Sequence, residues 1–203
     1  MKNPQKFWDR LANNFDKYET QFLQPPLELA LPYIKGIVLD FGCATGTETI
    51  KMAGKADKVI GIDISQKMLS LAQNKVAENN IKNVEFLQST IYDEKLKPNT
   101  FDVIVAFNIL HLVENPAVVI QQIHKLLKDN GLFISATSFT GEKSFLNFLQ
   151  RSIFKPLSKI SLIPKINFFK LEDLLQLLTE TNFQLIENKQ LDSKSNYFII
   201  GKK

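Results

Sequence analysis

Hydrophobic positions along the chain alternate between two textures. Short blocks rich in Val, Ile and Phe occupy Ile37–Phe41, Lys58–Asp63, Val84–Gln88, Phe101–Phe107 and Gly131–Thr137. Between them lie longer stretches in which apolar residues return at helical spacing, near Thr47–Ala53, Gln66–Asn79 and Ala117–Lys128. In the second stretch Met68, Leu69, Ala72 and Val76 share one face, and Ser65 stands where an N-cap is needed. Strand and helix patterns in this alternation predict βαβ units on a parallel sheet. The tetrad "KDNG" at 128–131 predicts a helix stop.

Two segments break the rhythm. "FQLIENKQLDSKSNYFIIGKK" reads as two strands joined by a polar turn, an antiparallel hairpin closing the sheet. Phe139–Phe169 is too long for a plain crossover and reads as an insertion. At the other end Trp8, Leu11, Phe15 and Tyr18 form one stripe of a helix, which either packs on the sheet or covers a ligand.

Composition narrows the class. With 203 residues, 44% of them hydrophobic and 23% charged, the chain suits one globular domain spanning 1–203. A net charge of +4 falls short of the basic bias of a dedicated nucleic-acid binder, so no nucleic-acid partner is expected. One cysteine, Cys43, excludes an internal disulfide and a cysteine-rich metal cluster. The first residues lack a signal-type apolar core, and no run is long enough to span a bilayer, so the expected compartment is cytoplasmic.

Chemistry concentrates in "VLDFGCATGTETI", Val38 to Ile50. If Ile37–Phe41 is a strand and Thr47 opens a helix, the loop lies at a strand's carboxyl end, where open α/β sheets take ligands. Gly42 and Gly46 permit positive φ or a close backbone approach. The dinucleotide pattern G-x-G-x-x-G fails, because Ala44 and Thr47 stand at its second and third glycines. A phosphate loop fails too, since no Gly-Lys-Ser/Thr follows. Asp40 would repel a pyrophosphate but suits an ammonium. Asp63, ending "KVIGID", can accept hydrogen bonds from the two hydroxyls of a ribose. A ligand with an ammonium, a carboxylate, a ribose and no phosphate fits both acids, and S-adenosylmethionine is such a ligand.

"VLDFGCATG" followed by "VIGIDIS" resembles the first motif and second-strand acid of class I S-adenosylmethionine-dependent methyltransferases. Asp40, Gly42, Ala44 and Gly46 match the family's acid-glycine motif, with Ala44 replacing the middle glycine, a change that fits a negative φ. The resemblance implies a Rossmann-like seven-stranded sheet in the order 3-2-1-4-5-7-6, strand 7 antiparallel, with helices on both faces. It places Ile64, Met68, Thr90 and Ile91 around an adenine, Thr90 standing where the family often has an acid. Phe107 and Asn108 follow the fourth strand, beside the expected methyl group. His111 and Tyr18 are candidates to orient or deprotonate an acceptor. No metal ligands can be placed. His124 is expected to be an exposed helix residue, and Cys43 a small buried loop residue rather than a nucleophile.

The expected reaction is methyl transfer to a small apolar or acidic acceptor, with segments 4–20 and 139–169 as lids. From Glu142 to Lys170 six basic residues (Lys143, Arg151, Lys155, Lys159, Lys165 and Lys170) stand against one acid, Glu142. That excess also fits a membrane surface delivering a lipid or quinone through 142–170. A protein that binds S-adenosylmethionine or S-adenosylhomocysteine without turnover is the alternative from another class.

Overall fold

The computed structural model describes residues 4–17, 26–138, 167, 170–191 and 196–203. Seven strands form one sheet: β1 Ile37–Phe41, β2 Lys58–Asp63, β3 Val84–Gln88, β4 Phe101–Phe107, β5 Leu127–Ser138, β6 Gln184–Gln190 and β7 Asn196–Lys202. Their order is β3-β2-β1-β4-β5-β7-β6, with β7 antiparallel to both of its neighbours and the remaining pairs parallel. The expected sheet is thus the observed one, and the bounds of β1 to β4 fall where the apolar blocks do.

Six α-helices are described: α1 Pro4–Leu11, α2 Leu27–Ala30, α3 Thr47–Met52, α4 Gln66–Glu78, α5 Pro116–Leu126 and α6 Leu171–Glu180. Period-two alternation sends each central strand's side chains into two cores. Leu39, Ile104, Phe133 and Ile199 pack with Ile120, Ile123, Leu174 and Leu178 of α5 and α6. Val38, Val103, Ile134 and Ile200 pack on the other face with Leu27, Ala30 and Met52. A smaller cluster of Leu69, Ala72, Phe86 and Cys43 seats α4 over the β2–β3 side.

Two sequence expectations need correcting, and one helix was not foreseen. Helix α5 ends at Leu126, before "KDNG". Residues 128–131 instead form a step inside β5, where the pairing with β4 jumps from Phe101–Leu127 to Val103–Leu132 and Asn130 takes φ 63°. Helix α6 carries no expectation from the sequence; it starts where the Lys170 N–H donates to Asp173 Oδ2 at 2.7 Å. His124 is not an exposed helix residue: it is half-buried, edge-on to Phe183 with ring centroids 5.0 Å apart. Tyr18 and most of 139–169, including the basic residues up to Lys165, lie outside the described residues.

Candidate active site

At the carboxyl ends of β1, β2 and β4 the sheet opens into a cavity of about 770 Å³. The loop after β1 forms its floor. Gly42 and Cys43 donate their N–H groups to the Ile62 carbonyl at 2.9 and 3.1 Å, which pins the loop to β2. Gly42 has φ 82°, and a Cβ there would come within 2.9 Å of Ile109 Cγ1, so only glycine fits.

Ala44 departs from expectation: its φ is +46°, not negative. The loop keeps the left-handed turn that a glycine would take freely, at a steric cost on the order of 1–2 kcal/mol. Its N–H donates to Asp63 Oδ2 at 3.1 Å, which helps hold that turn. Gly46 is not among the residues that line the cavity. At φ 75°, an added Cβ would come within 2.6 Å of Phe86 Cζ and 2.8 Å of Ala72 Cβ. Gly46 therefore lets α4 and β3 close on the loop.

Asp40 is 4% exposed and lines the cavity. Thr49 Oγ1 donates to its Oδ2 at 2.5 Å. Burial nevertheless drives its carboxyl up to about 7, with the charges of Glu48 and Asp63 pushing the same way. A cation placed beside this carboxyl would lower it again by favouring the ionised form. Burial also raises Asp63, against the pull of the Ser65, Ala44 and Ile64 N–H groups. Its Oδ1 accepts from Ser65 N–H at 2.8 Å. The two Asp63 oxygens carry four lone pairs, so three backbone N–H groups still leave room for a ligand hydroxyl. Glu48, which the motif did not single out, lines the same floor and is raised by burial as well. Its position in the first turn after the glycine loop was the available signal.

Ile64, Met68, Thr90 and Ile91 line one side of the cavity, and Phe107, Asn108 and His111 another. Met68 is both core and wall, 1% exposed and donating its N–H to the Ser65 cap at 3.2 Å. Asn108 turns the chain out of β4 with φ 52° and donates its N–H to Ala136 O at 2.7 Å. His111 Nδ1 is buried without a hydrogen-bond partner among the described residues, and burial lowers its imidazole to about 4. Burial raises the Cys43 thiol well above its ordinary value, which fits an inert loop residue.

The N-terminal segment closes one side. Trp8 and Phe15 line the cavity and meet edge-on, centroids 6.5 Å apart. Two aspartates fasten the segment. Asp9 Oδ1 accepts from Ser65 Oγ at 2.5 Å and from Lys67 N–H at 3.3 Å. Asp16 accepts from the Thr45 hydroxyl and pairs with Lys75 at 2.8 Å. Sequence reading missed both anchors, since each joins residues at least 29 positions apart.

Among the described lining residues, four are carboxylic acids (Asp40, Glu48, Asp63 and Glu114) and none is Lys or Arg. Such a wall welcomes a cation and repels an anion. No group of three metal-ligating side chains occurs among the described residues.

Comparison with known proteins agrees with this geometry. Residues 35–189 match a family model described as a methyltransferase domain. The ubiquinone biosynthesis O-methyltransferase of Neisseria meningitidis is 29% identical over 153 residues, covering 71% of this chain and 62% of that protein. The demethylmenaquinone methyltransferase of Lactococcus lactis is 34% identical over 97 residues, 46% of this chain and 38% of that protein. Among solved structures, an S-adenosylmethionine-dependent methyltransferase from Mesorhizobium loti superposes with a TM-score of 0.70 at 18% identity, over 87% of this chain and 95% of that one. The chain spans less than two thirds of the length of these curated relatives. It belongs to the class I S-adenosylmethionine-dependent methyltransferase family.

Proposed function

We propose that this chain methylates a small, neutral, apolar acceptor, using S-adenosylmethionine as the donor. The observation that carries the reading is the acidic floor around Asp40, a carboxyl that burial pushes up to about 7. Asp40 would meet the ligand's ammonium through the loop region. Asp63 would hold the ribose, and Ile64, Met68, Thr90 and Ile91 would enclose the adenine. Gly42, Ala44 and Gly46 shape the loop, Gly46 from behind. When bound, S-adenosylmethionine supplies an already activated methyl group for in-line displacement. The protein's task is then to align the acceptor and exclude water. Phe107 and Asn108 would form the wall beside the transferred group, and Trp8 and Phe15 would shield it, with segment 4–20 as a lid. Tyr18 is retained as a candidate on sequence grounds.

The four acids among the described lining residues favour a neutral acceptor over an acidic one. His111, which lines the cavity and is neutral across the ordinary pH range, would help orient an acceptor hydroxyl. The names of the relatives extend the proposal to a quinone-type hydroxyl acceptor. The basic excess in 142–170 fits the delivery of such a molecule from an anionic bilayer, and no described helix is long and apolar enough to cross one.

Calorimetry with S-adenosylmethionine, S-adenosylhomocysteine and NADH tests the ligand. Heat from the two sulfur ligands and none from NADH is expected; the reverse would overturn the reading. Labelled-methyl transfer to 2-decylhydroquinone tests turnover. Tight binding with no transfer to any neutral hydroxyl acceptor would leave a non-catalytic binder. In cosedimentation with anionic vesicles, neutralising Lys155 and Lys159 should reduce binding if the segment meets a bilayer.

A further inference from the structure

We propose that Asn167 is a positioning residue for the acceptor wall, holding the loop from His111 to Glu114 against the cavity; this rests on the functional reading above. That loop joins β4 to α5, and its carbonyls cannot be paired by either element. Its ends are anchored by the flanking sheet and helix. Asn108 N–H donates to Ala136 O at one end, and Asn115 Oδ1 caps α5 by accepting from Ala117 N–H at 3.1 Å at the other.

Between those ends the chain is held from a distance. Asn167 N–H donates to His111 O at 2.7 Å, and its side-chain amide donates to Val113 O and, at 3.5 Å, to Glu114 O. One residue, more than 50 positions away in sequence, thus answers three carbonyls of one short loop. His111, Val113 and Glu114 all line the cavity. The His111 imidazole has no Nδ1 partner of its own among the described residues, so its place is inherited from the backbone that Asn167 fixes. Asp40, Glu48, Asp63, Tyr92 and Glu114 are the titratable groups that share its cavity, together with the Cys43 thiol. An asparagine here meets the loop with donors alone turned toward it. Aspartate would keep the backbone N–H but set a carboxylate against two carbonyl oxygens.

NMR of the imidazole Cε1–H signals tests this without an acceptor. The chain has two histidines, so His124, on the far side of α5, serves as an internal reference. In the wild-type chain His111 should titrate far below the ordinary 6.5. In Asn167→Ala and Asn167→Asp its midpoint should rise by at least about one pH unit as the loop leaves its buried place, with His124 unmoved. Affinity for S-adenosylhomocysteine should stay within about twofold, and KM for 2-decylhydroquinone should rise by roughly tenfold. An unchanged His111 midpoint in both variants would overturn the proposal. So would a joint shift of His124 and loss of S-adenosylhomocysteine binding, which would signal general unfolding. If the wild-type chain itself fails to bind S-adenosylhomocysteine, the functional reading falls, and the titration still decides whether Asn167 holds the loop.

Discussion

Thr49 Oγ1 donates a 2.5 Å hydrogen bond to Asp40 Oδ2, one buried side chain holding another at the mouth of the sheet. That bond favours the carboxylate, yet burial prevails and the free protein keeps Asp40 raised to about 7. Between the ordinary 3.8 and about 7 the folded chain therefore holds a proton that the unfolded chain gives up. Stability of the ligand-free protein should fall as pH rises through this window, by up to roughly 1.4 kcal/mol per pH unit. A cationic ligand needs the ionised form. Affinity for S-adenosylmethionine should accordingly rise as pH climbs toward and through 7, with release of a proton. Titrations in buffers of different ionisation enthalpy measure that proton directly. Thr49→Val should move the rise to higher pH and weaken binding about tenfold at pH 7. A pH-independent affinity in both proteins would contradict the assignment of Asp40.

Asp63→Asn should weaken S-adenosylhomocysteine binding by roughly 1.5–3 kcal/mol, the range for hydrogen bonds to a charged group. Because Asp63 also accepts from Ala44 and Ser65, part of that loss will come from the loops themselves. Thermal melts without ligand separate the two contributions, and unchanged calorimetric affinity would remove Asp63 from the ribose site.

Ala44 sits at φ +46°, so Ala44→Gly should relieve strain. The gain is offset in part by the greater freedom of glycine in the unfolded chain. A net stabilisation of about 0.5–1 kcal/mol is expected, which for a chain of this size raises Tm by roughly 1–4 °C. A lowered Tm would mean that the methyl group packs favourably enough to outweigh its backbone.

Asp9 holds α1 to the start of α4, and Trp8, the chain's one tryptophan, reports on that contact. Asp9→Ala should remove a capping interaction worth about 0.5–2 kcal/mol. Trp8 emission should shift to longer wavelength as the ring meets water, and S-adenosylhomocysteine should reverse the shift only at higher concentration than in the wild type. Identical emission spectra would show that α1 stays seated without Asp9.

Local pattern made the sheet legible. β1 to β4 announce themselves through short apolar blocks, and Asp40 and Asp63 stand out because acids at the ends of such blocks are costly without a task. What escaped sequence reading is non-local. Asp9 meets Ser65 across 56 positions, and Asn167 reaches Val113 across 54. Neither spacing leaves a periodic trace. Ala44 was misread for another reason: residue type biases φ, but the surrounding hydrogen bonds set it here. Helix α6 has Lys170 at its N-cap in place of Ser, Thr, Asp or Asn, so its start had no sequence landmark.

Gly46 carries a consequence for how such chains are sorted. Its missing side chain makes room for Phe86 and Ala72, a demand of the interior that persists whether or not anything ever enters the cavity. A relative that had abandoned methyl transfer would still be held to glycine there by the need to fold. Glycine at 46 therefore speaks to the fold, while the acids at 40 and 63, which face the cavity, are the positions where a change of ligand would show.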